Sequence, residues 1–169
     1  VTGLGNYSGT QDANFTINKA ALTVTPTAGQ TKVFGAADPI LAYAVAGAIA
    51  GETPSFTGAL ARAAGEAVGT YAITQGTLAL ADNGAFLAAN YALAFTGGVT
   101  FAITAKDASA LTVAAIAPVT YDGAAQVPEP IVKDGDAVLA QGVDYTLSYT
   151  ANTNAGVATV TVTGLGNYS

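Results

Sequence analysis

The sequence predicts a mainly β protein that is built from two small tandem β-domains and forms an elongated rod. Three features of its 169 residues predict this: runs in which threonine alternates with aliphatic residues, glycine-rich turns between the runs, and an internal repeat. Alternating β-branched residues suit a pleated, half-buried strand. Short strands separated by turn signals are typical of small antiparallel sandwiches or grasp-like folds.

The strands are predicted where apolar and polar residues alternate with a period of two. Such alternation places one face of each strand on a core and the other in solvent. The clearest runs are residues 22–25, 70–74, 145–150 and 157–163. Turn residues separate them, most plainly at 82–84 (Asp-Asn-Gly), 134–136 (Asp-Gly-Asp) and 164–167 (Gly-Leu-Gly-Asn). Asp and Asn bond their own backbone in turns, and Gly supplies positive φ angles.

One segment leaves two alternatives open. Residues 58–69 are rich in alanine, which favours a helix by propensity. Glycine stands at both ends and at Gly65 in the middle, so an isolated helix of this length would be marginal. Strand and turn structure is the favoured alternative.

An internal repeat decides the organisation of the chain. The sequence VTGLGNYS occupies residues 1–8 and recurs without change at residues 162–169, an offset of 161. Exact recurrence at a long fixed interval is the signature of a repeat protein. The chain is interpreted as one full period of a tandem array with a short overlap into the next.

A weaker repeat inside the period divides it into two related domains. Most of its matches lie 86 to 89 residues apart, and the last lies 77 apart. The matched segments are Phe15-Thr16-Ile17 with Phe101-Ala102-Ile103, residues 21–24 with 110–113, 33–35 with 119–123, 68–71 with 155–158, and 90–91 with 167–168. We therefore predict a β-domain at 19–104 and a second at 105–169 that lacks its last strand. Residues 1–18 are predicted to be the terminal strand of a preceding domain.

This division predicts the partner of the chain. An edge strand with unpaired N–H and C=O groups seeks another strand. We expect the partner to be a neighbouring repeat of the same protein. Between separate molecules the pairing would run head to tail, which does not close and so builds fibres.

Composition excludes several classes of function. Lys and Arg total 5 against 11 Asp and Glu, which gives a net charge of −6. So few cations cannot form the basic patch that binds nucleic acid or an anionic membrane surface. His and Cys are absent, so the commonest general base and the thiolate ligands are absent too. The longest apolar run, residues 40–51, is too short to span a bilayer.

Two ordered sets of motifs carry a family resemblance that covers nearly the whole chain. Residues 31–39 (TKVFGAADP), 60–73 (LARAAGEAVGTYAI) and Asn90-Tyr91 resemble the MBG domain of the YGX type, with Phe34 where that pattern usually has Tyr. Residues 121–123 (YDG), 142–149 (GVDYTLSY), 152–156 (NTNAG) and 164–168 (GLGNY) resemble the companion YDG-type repeat. The resemblance implies a repetitive bacterial surface or secreted protein, such as a large adhesin. It implies no catalytic residues.

Candidate chemistry is weak throughout the sequence. Nucleophilic catalysis would need a Ser/Lys pair, and none of Lys19, Lys32, Lys106 and Lys133 has the S-x-x-K spacing. The absence of Trp also makes a sugar-cleaving cleft unexpected. We expect no enzyme activity, no catalytic residue and no cofactor.

Four binding or cross-linking alternatives compete with simpler structural roles. Asp134, Asp136 and the nearby Asp144 could bind calcium, but a turn at Asp134-Gly135-Asp136 whose side chains bond their own backbone is favoured. Lys19 or Lys106 could form an isopeptide bond, but solvated linkers are favoured. Core packing is favoured over a glycan platform for the tyrosines. The Thr-x-Thr pairs lie on separate strands, so they are not expected to form a ligand-facing array. These residues are Tyr43, Tyr71, Tyr91, Tyr121, Tyr145, Tyr149, Tyr168, Thr23, Thr25, Thr161 and Thr163.

The predicted function is a structural spacer. It would extend an extracellular bacterial adhesin, a biofilm matrix protein or a surface filament. The alternative is a module within such an adhesin that binds a glycan or a protein through exposed loops. An exopolysaccharide or a host surface ligand would then be reached through the parent protein.

Overall fold

A computed structural model describes residues 1–169, and its secondary structure is almost entirely β. This confirms the predicted fold class. The two helices, at Ala88–Asn90 and Ala108–Ala110, are short 3-10 turns, and neither has the length and apolarity that a membrane crossing needs. The strands are β1 (Ala20–Pro26), β2 (Thr31–Val33), β3 (Tyr43–Ala46), β4 (Ser55–Thr57), β5 (Ala61–Arg62), β6 (Gly69–Thr74), β7 (Ala79–Ala81), β8 (Tyr91–Phe95), β9 (Thr100–Thr104), β10 (Thr112–Val113), β11 (Val132–Asp134), β12 (Ala137–Val138), β13 (Tyr145–Thr150) and β14 (Thr159–Gly164).

Strands β1 to β9 form two main sheets and a small ribbon. In one sheet β1 lies between β3, which is antiparallel to it, and β8, which is parallel. In the other, β9 lies between the parallel β2 and the antiparallel β6, and β5 continues the sheet beyond β6. Strands β4 and β7 pair separately. The last strand of this region is therefore an interior strand with hydrogen-bonded neighbours on both sides.

The core of this region follows from the alternation in its strands. Leu22 and Val24 on β1 and Phe101 on β9 are fully buried, and Ile103 is nearly so. The residues between them are polar or small and point away, as a period of two requires. The main cluster comprises Val24, Leu41, Leu60, Ile73, Leu78, Phe101 and Ile103.

Strands β10 to β14 form a smaller and more open structure. A sheet in the order β10-β11-β12 accompanies the antiparallel pair β13-β14. Its buried cluster has four residues: Val132, Leu139, Tyr145 and Tyr168. Across the chain 17 of 169 residues are buried, and the accessible surface is 10886 Å². A compact monomer of this mass would expose about 7,600 Å², so the cores are small and the surface is extensive.

Residues 1–18 contain no named strand. Their one ladder contact is an isolated bridge between Thr2 and Thr10. Leu4, Tyr7, Phe15 and Ile17 are 79 to 86% exposed. The segment therefore carries four large apolar side chains that pack into neither core.

Two local predictions are resolved by the backbone. Residues 58–69 form the short strand β5 and turns, so the helical alternative is wrong. The Thr77 N–H donates to the Ala59 carbonyl at 3.0 Å, and Gly58 has a φ of +71°, outside the helical region. The predicted strand at 157–163 begins two residues later, at Thr159.

Candidate functional site

The two structured regions meet at a small contact, named here the junction. It consists of Phe34, Val68, Lys106, Asn167 and Tyr168. The rings of Phe34 and Tyr168 pack edge to face with centroids 5.5 Å apart. The Val68 N–H donates to Asn167 Oδ1 at 2.9 Å. Phe34 packs against both hydrophobic clusters, so it links the cores of the two regions.

The position of Phe34 follows from the turn after β2. Its N–H donates to the Thr104 carbonyl at 2.8 Å, which fixes it beside the end of β9. Gly35 has a φ of +79°, a value that non-glycine residues rarely adopt. Because β9 runs directly into the link at Lys106, Phe34 faces the second region.

The other side of the junction is the second copy of the repeated octapeptide. The Tyr168 N–H donates to the Leu165 carbonyl at 3.0 Å, and Gly166 has a φ of +59°. The Lys106 N–H donates to the Asn167 carbonyl, and the Ser169 N–H donates to the Lys106 carbonyl, both at 2.9 Å. The loop is thus bound to the link between the two regions.

The first copy of the octapeptide has the same local geometry without these partners. The Tyr7 N–H donates to the Leu4 carbonyl at 3.3 Å, and Gly5 has a φ of +65°. A Cβ on Gly3 would lie 2.8 Å from the carbonyl carbon of Tyr7, as one on Gly164 would from that of Tyr168. Tyr7 is nevertheless 79% exposed. The local sequence therefore sets the loop, and the tertiary environment decides whether its tyrosine is buried.

An ion pair lies next to the junction. Lys106 Nζ contacts Asp134 Oδ1, and the Tyr168 hydroxyl donates to Asp134 Oδ2 at 3.3 Å. Burial, together with the Asp134 charge, raises the pKa of Tyr168. The expected role of Asp134, a carboxylate bonded to its own turn, is wrong because its oxygens bind these two side chains. The expectation that Lys106 is a solvated linker residue is wrong for the same reason.

The acidic residues weighed for calcium do not converge. Asp144 Oδ2 accepts a hydrogen bond from the Ala140 N–H at 2.8 Å, so this carboxylate caps its own turn. Asp136 is exposed in the turn between β11 and β12. The chain contains no group of three acidic side chains that could hold a metal ion.

A four-residue ion cluster in the first region was missed by sequence reasoning. Lys32 Nζ lies 2.6 Å from Asp38 Oδ1 and 2.5 Å from Glu66 Oε2. Arg62 binds both oxygens of Asp38, at 2.8 and 3.0 Å, and contacts Glu66. The side chains of Lys32 and Arg62 are only 5% and 7% exposed. The partners lie up to 34 residues apart, so no local pattern in the sequence reveals them.

The cluster sets the charge state of its members. Hydrogen bonds from Arg62 and then Lys32 lower the pKa of Asp38, and those from Lys32 and then Arg62 lower the pKa of Glu66. The same contacts, with Asp38 first, raise the pKa of Lys32. Lys32 is therefore held as an ammonium ion and has no free lone pair for nucleophilic chemistry. It ties β2 to the loop around Glu66 and, through Asp38 and Glu66, to Arg62 on β5.

The remaining candidates lie on separate parts of the surface or in the core. Lys19 and Lys133 are exposed. Tyr91, Tyr145 and Tyr168 are buried as predicted, and Tyr43, Tyr71 and Tyr149 are half-buried. Core packing is wrong for Tyr121, which is 61% exposed because the segment around it forms no strand. The Thr-x-Thr pairs stay apart, with Thr23 and Thr25 half-buried on β1 and Thr161 and Thr163 exposed on β14.

Comparison with known families identifies the first region. Residues 22–102 match the family model of the MBG domain, YGX type. This part of the chain belongs to the MBG domain family. The match runs from β1 to β9, so the family's domain includes the interior last strand. No curated protein and no solved structure matches the chain. The MBG domain is a repeat-type domain, in agreement with the internal repetition. The YDG-type resemblance of the second region stays a prediction.

Proposed function

We propose that the chain is a structural repeat unit that lengthens the stalk of an extracellular bacterial adhesin, biofilm matrix protein or surface filament. The supporting observation is the octapeptide at the junction. Its second copy packs in the core of the smaller β-domain and contacts the MBG domain, and its first copy stands 161 residues earlier with the same local turn. A junction element that recurs at this interval suits a protein that adds length by repetition.

The physics of repeat proteins supports this role. In a linear array each module contacts only its neighbours, so further copies lengthen the molecule without changing its fold. Small separate cores and an extensive surface fit such a module better than a single enclosed domain. The absence of Met and Cys also suits a chain that is exposed to oxidants outside the cell.

The proposal is tested by the dimensions of chains of one, two and three 161-residue periods. Small-angle X-ray scattering should give a maximum dimension that rises by the same increment with each added period. A maximum dimension that grows only as the cube root of the mass, as for a compact particle, would contradict the stalk. A matched chain with a flexible Gly-Ser insertion after Thr104 should give a broader distance distribution than the direct tandem.

A second candidate function is glycan binding, and one observation favours it. Tyr121, Asn152 and Asn154 line a surface cleft of about 190 Å³. An exposed aromatic ring beside amide groups can stack on a sugar and hydrogen-bond its hydroxyls. Binding of one sugar class at sub-micromolar concentration, lost in Tyr121→Ala, would favour this role over a purely mechanical one.

A further inference from the structure

The second β-domain repeats several strand pairings of the MBG domain at offsets of 77 to 89 residues. In the MBG domain β5 and β6 pair Arg62 with Ile73, and 87 residues later β13 and β14 pair Tyr149 with Val160. Likewise β1 and β3 pair Val24 with Val45, and β10 and β11 pair the corresponding residues Val113 and Val132. The parallel contact of Ala20 with Tyr91 has its counterpart in the bridge between Lys106 and Tyr168. The two domains therefore share these strand pairings.

The strand that corresponds to β9 is absent from residues 105–169. In the MBG domain β9 lies between β2 and β6, and it places Phe101 and Ile103 in the core. The segments that correspond to β2 and to the start of β6 are residues 117–119 and 156–158. Neither forms a strand, and a cleft of about 280 Å³ lies between them.

The cleft has the character of an unfilled core. Its lining includes Ile116, Val119, Tyr149 and Val160. The surroundings confirm that apolar surface is uncovered: Val113 is 41% exposed, whereas its counterpart Val24 is 0% exposed. Exposed apolar surface next to unpaired strand edges marks a site for strand addition.

The chain carries a segment that matches the absent strand. Phe15-Thr16-Ile17 repeats the pattern of Phe101-Ala102-Ile103, and Phe15 and Ile17 are 86% and 84% exposed. We propose that the cleft of the second β-domain binds residues 14–18 of a second copy of this chain as an added β-strand. The inference goes beyond the stalk role because it names the binding surface and its occupant, and it would stand if the parent protein had another task.

The MBG domain supplies the expected register. Tyr71 pairs with Phe101 and Gly69 with Ile103, so Phe15 should lie opposite Ala158 and Ile17 opposite Gly156, in antiparallel orientation. Thr16 should lie opposite Val157 on the outer face. On the other side Pro118 stands where the MBG domain has Lys32, and proline offers no N–H to a neighbouring strand. The antiparallel edge should therefore supply most of the hydrogen bonds.

The geometry makes the assembly head to tail. The donor segment lies at residues 14–18, before the MBG domain, and the acceptor cleft lies in the second β-domain, after it. The two surfaces differ, so each molecule can donate to one neighbour and accept from another, which gives an open chain of subunits. A strand this short buries little area, so separate chains should associate weakly and need high protein concentration.

Complementation between variants tests the pairing. In the full chain, Phe15→Asp removes the donor, and Ala158→Arg blocks the acceptor. Analytical ultracentrifugation of the wild-type chain should show association that rises with concentration, whereas each variant alone should be monomeric. A mixture of the two variants should form heterodimers and nothing larger, because only one donor and one acceptor remain intact. Tyr7→Asp is the matched control, since it changes another exposed aromatic residue and should associate like wild type.

Disulfide trapping tests the register. Because the chain has no native cysteine, only the introduced cysteines can form a disulfide, and they replace exposed residues. Molecules with Thr16→Cys mixed with molecules with Val157→Cys should give oxidised heterodimers, at a rate at least about tenfold above Thr16→Cys mixed with Thr161→Cys. The control residue lies four positions, or about 13 Å, along the strand. Equal rates for the two mixtures would overturn the inference. A cross-linked monomer from the double variant Thr16→Cys/Val157→Cys would overturn the choice of a second copy as the occupant.

Discussion

The MBG domain and the smaller β-domain share a strand register but differ in the completeness of their cores. In the first, β9 brings Phe101 and Ile103 between two strands, and the main cluster has seven buried residues. In the second, the same position is open, and the buried cluster has four. With the interior strand β9 the domain has a closed core. Without the corresponding strand the domain exposes a binding surface. The pairs β10–β11 and β13–β14 keep the pairing of their counterparts in its absence.

The largest expected effect contrasts the two matched phenylalanines. Phe101→Ala removes a fully buried ring and should lower the free energy of unfolding by about 3–5 kcal/mol. Phe15→Ala changes an exposed ring and should alter the stability of the monomer by less than about 0.5 kcal/mol. Urea unfolding at low protein concentration measures both. Similar losses in the two variants would mean that Phe15 is already packed in the monomer.

The next contrast is between the tyrosines of the two octapeptide copies. Tyr168 is 6% exposed and packs on Phe34, so Tyr168→Ala should cost about 3 kcal/mol and loosen the junction. Tyr7→Ala should be close to neutral in the monomer. Thermal unfolding of both variants provides the measurement. A neutral Tyr168→Ala would show that the junction contributes little to the smaller domain.

Acid should weaken the MBG domain through its ion cluster. Asp38 and Glu66 have pKa values below those of free carboxylates, so the unfolded chain binds protons more readily than the folded one. The stability that these two carboxylates supply is present above about pH 4, the pKa of a carboxyl group in the unfolded chain. It is lost as the pH falls through their lower pKa values in the folded protein. Asp38→Asn should therefore lower Tm at pH 7 and have a smaller effect near pH 2.5. An equal decrease at both pH values would contradict the ionic role.

These residues also mark what the sequence could predict. Alternation of threonine with aliphatic residues predicted β1, β6, β13 and β14 because a strand is a local pattern. The repeats predicted which segments correspond. The ion cluster and the exposed Tyr121 were missed because each depends on contacts between distant segments or on a neighbouring strand. Phe34 was noticed only as a departure from the family pattern, and its packing on Tyr168 appears only once the two domains are joined.

The smallest expected effect is at the polar contact of the junction. Asn167→Ala removes the acceptor of the Val68 N–H and should cost about 0.5–1.5 kcal/mol. Its main consequence should be a wider range of inter-domain arrangements, visible in small-angle X-ray scattering as a broader distance distribution. Asn152→Ala, which removes a hydrogen bond to the Gln126 carbonyl away from the junction, is the matched control. If Asn152→Ala broadened the distance distribution equally, the broadening could not be attributed to the junction contact.

The completeness of the second domain is tested most directly by supplying the absent strand within one molecule. Residues 9–19 can be appended after Ser169, which reproduces the sequence that follows the first octapeptide. The added segment should fill the cleft, protect the amides of residues 156–160 from hydrogen exchange, raise Tm and abolish self-association. A matched extension with serine in place of its Phe and Ile should do none of these. Equal exchange and equal Tm for the two extensions would contradict the open-strand interpretation of the second domain.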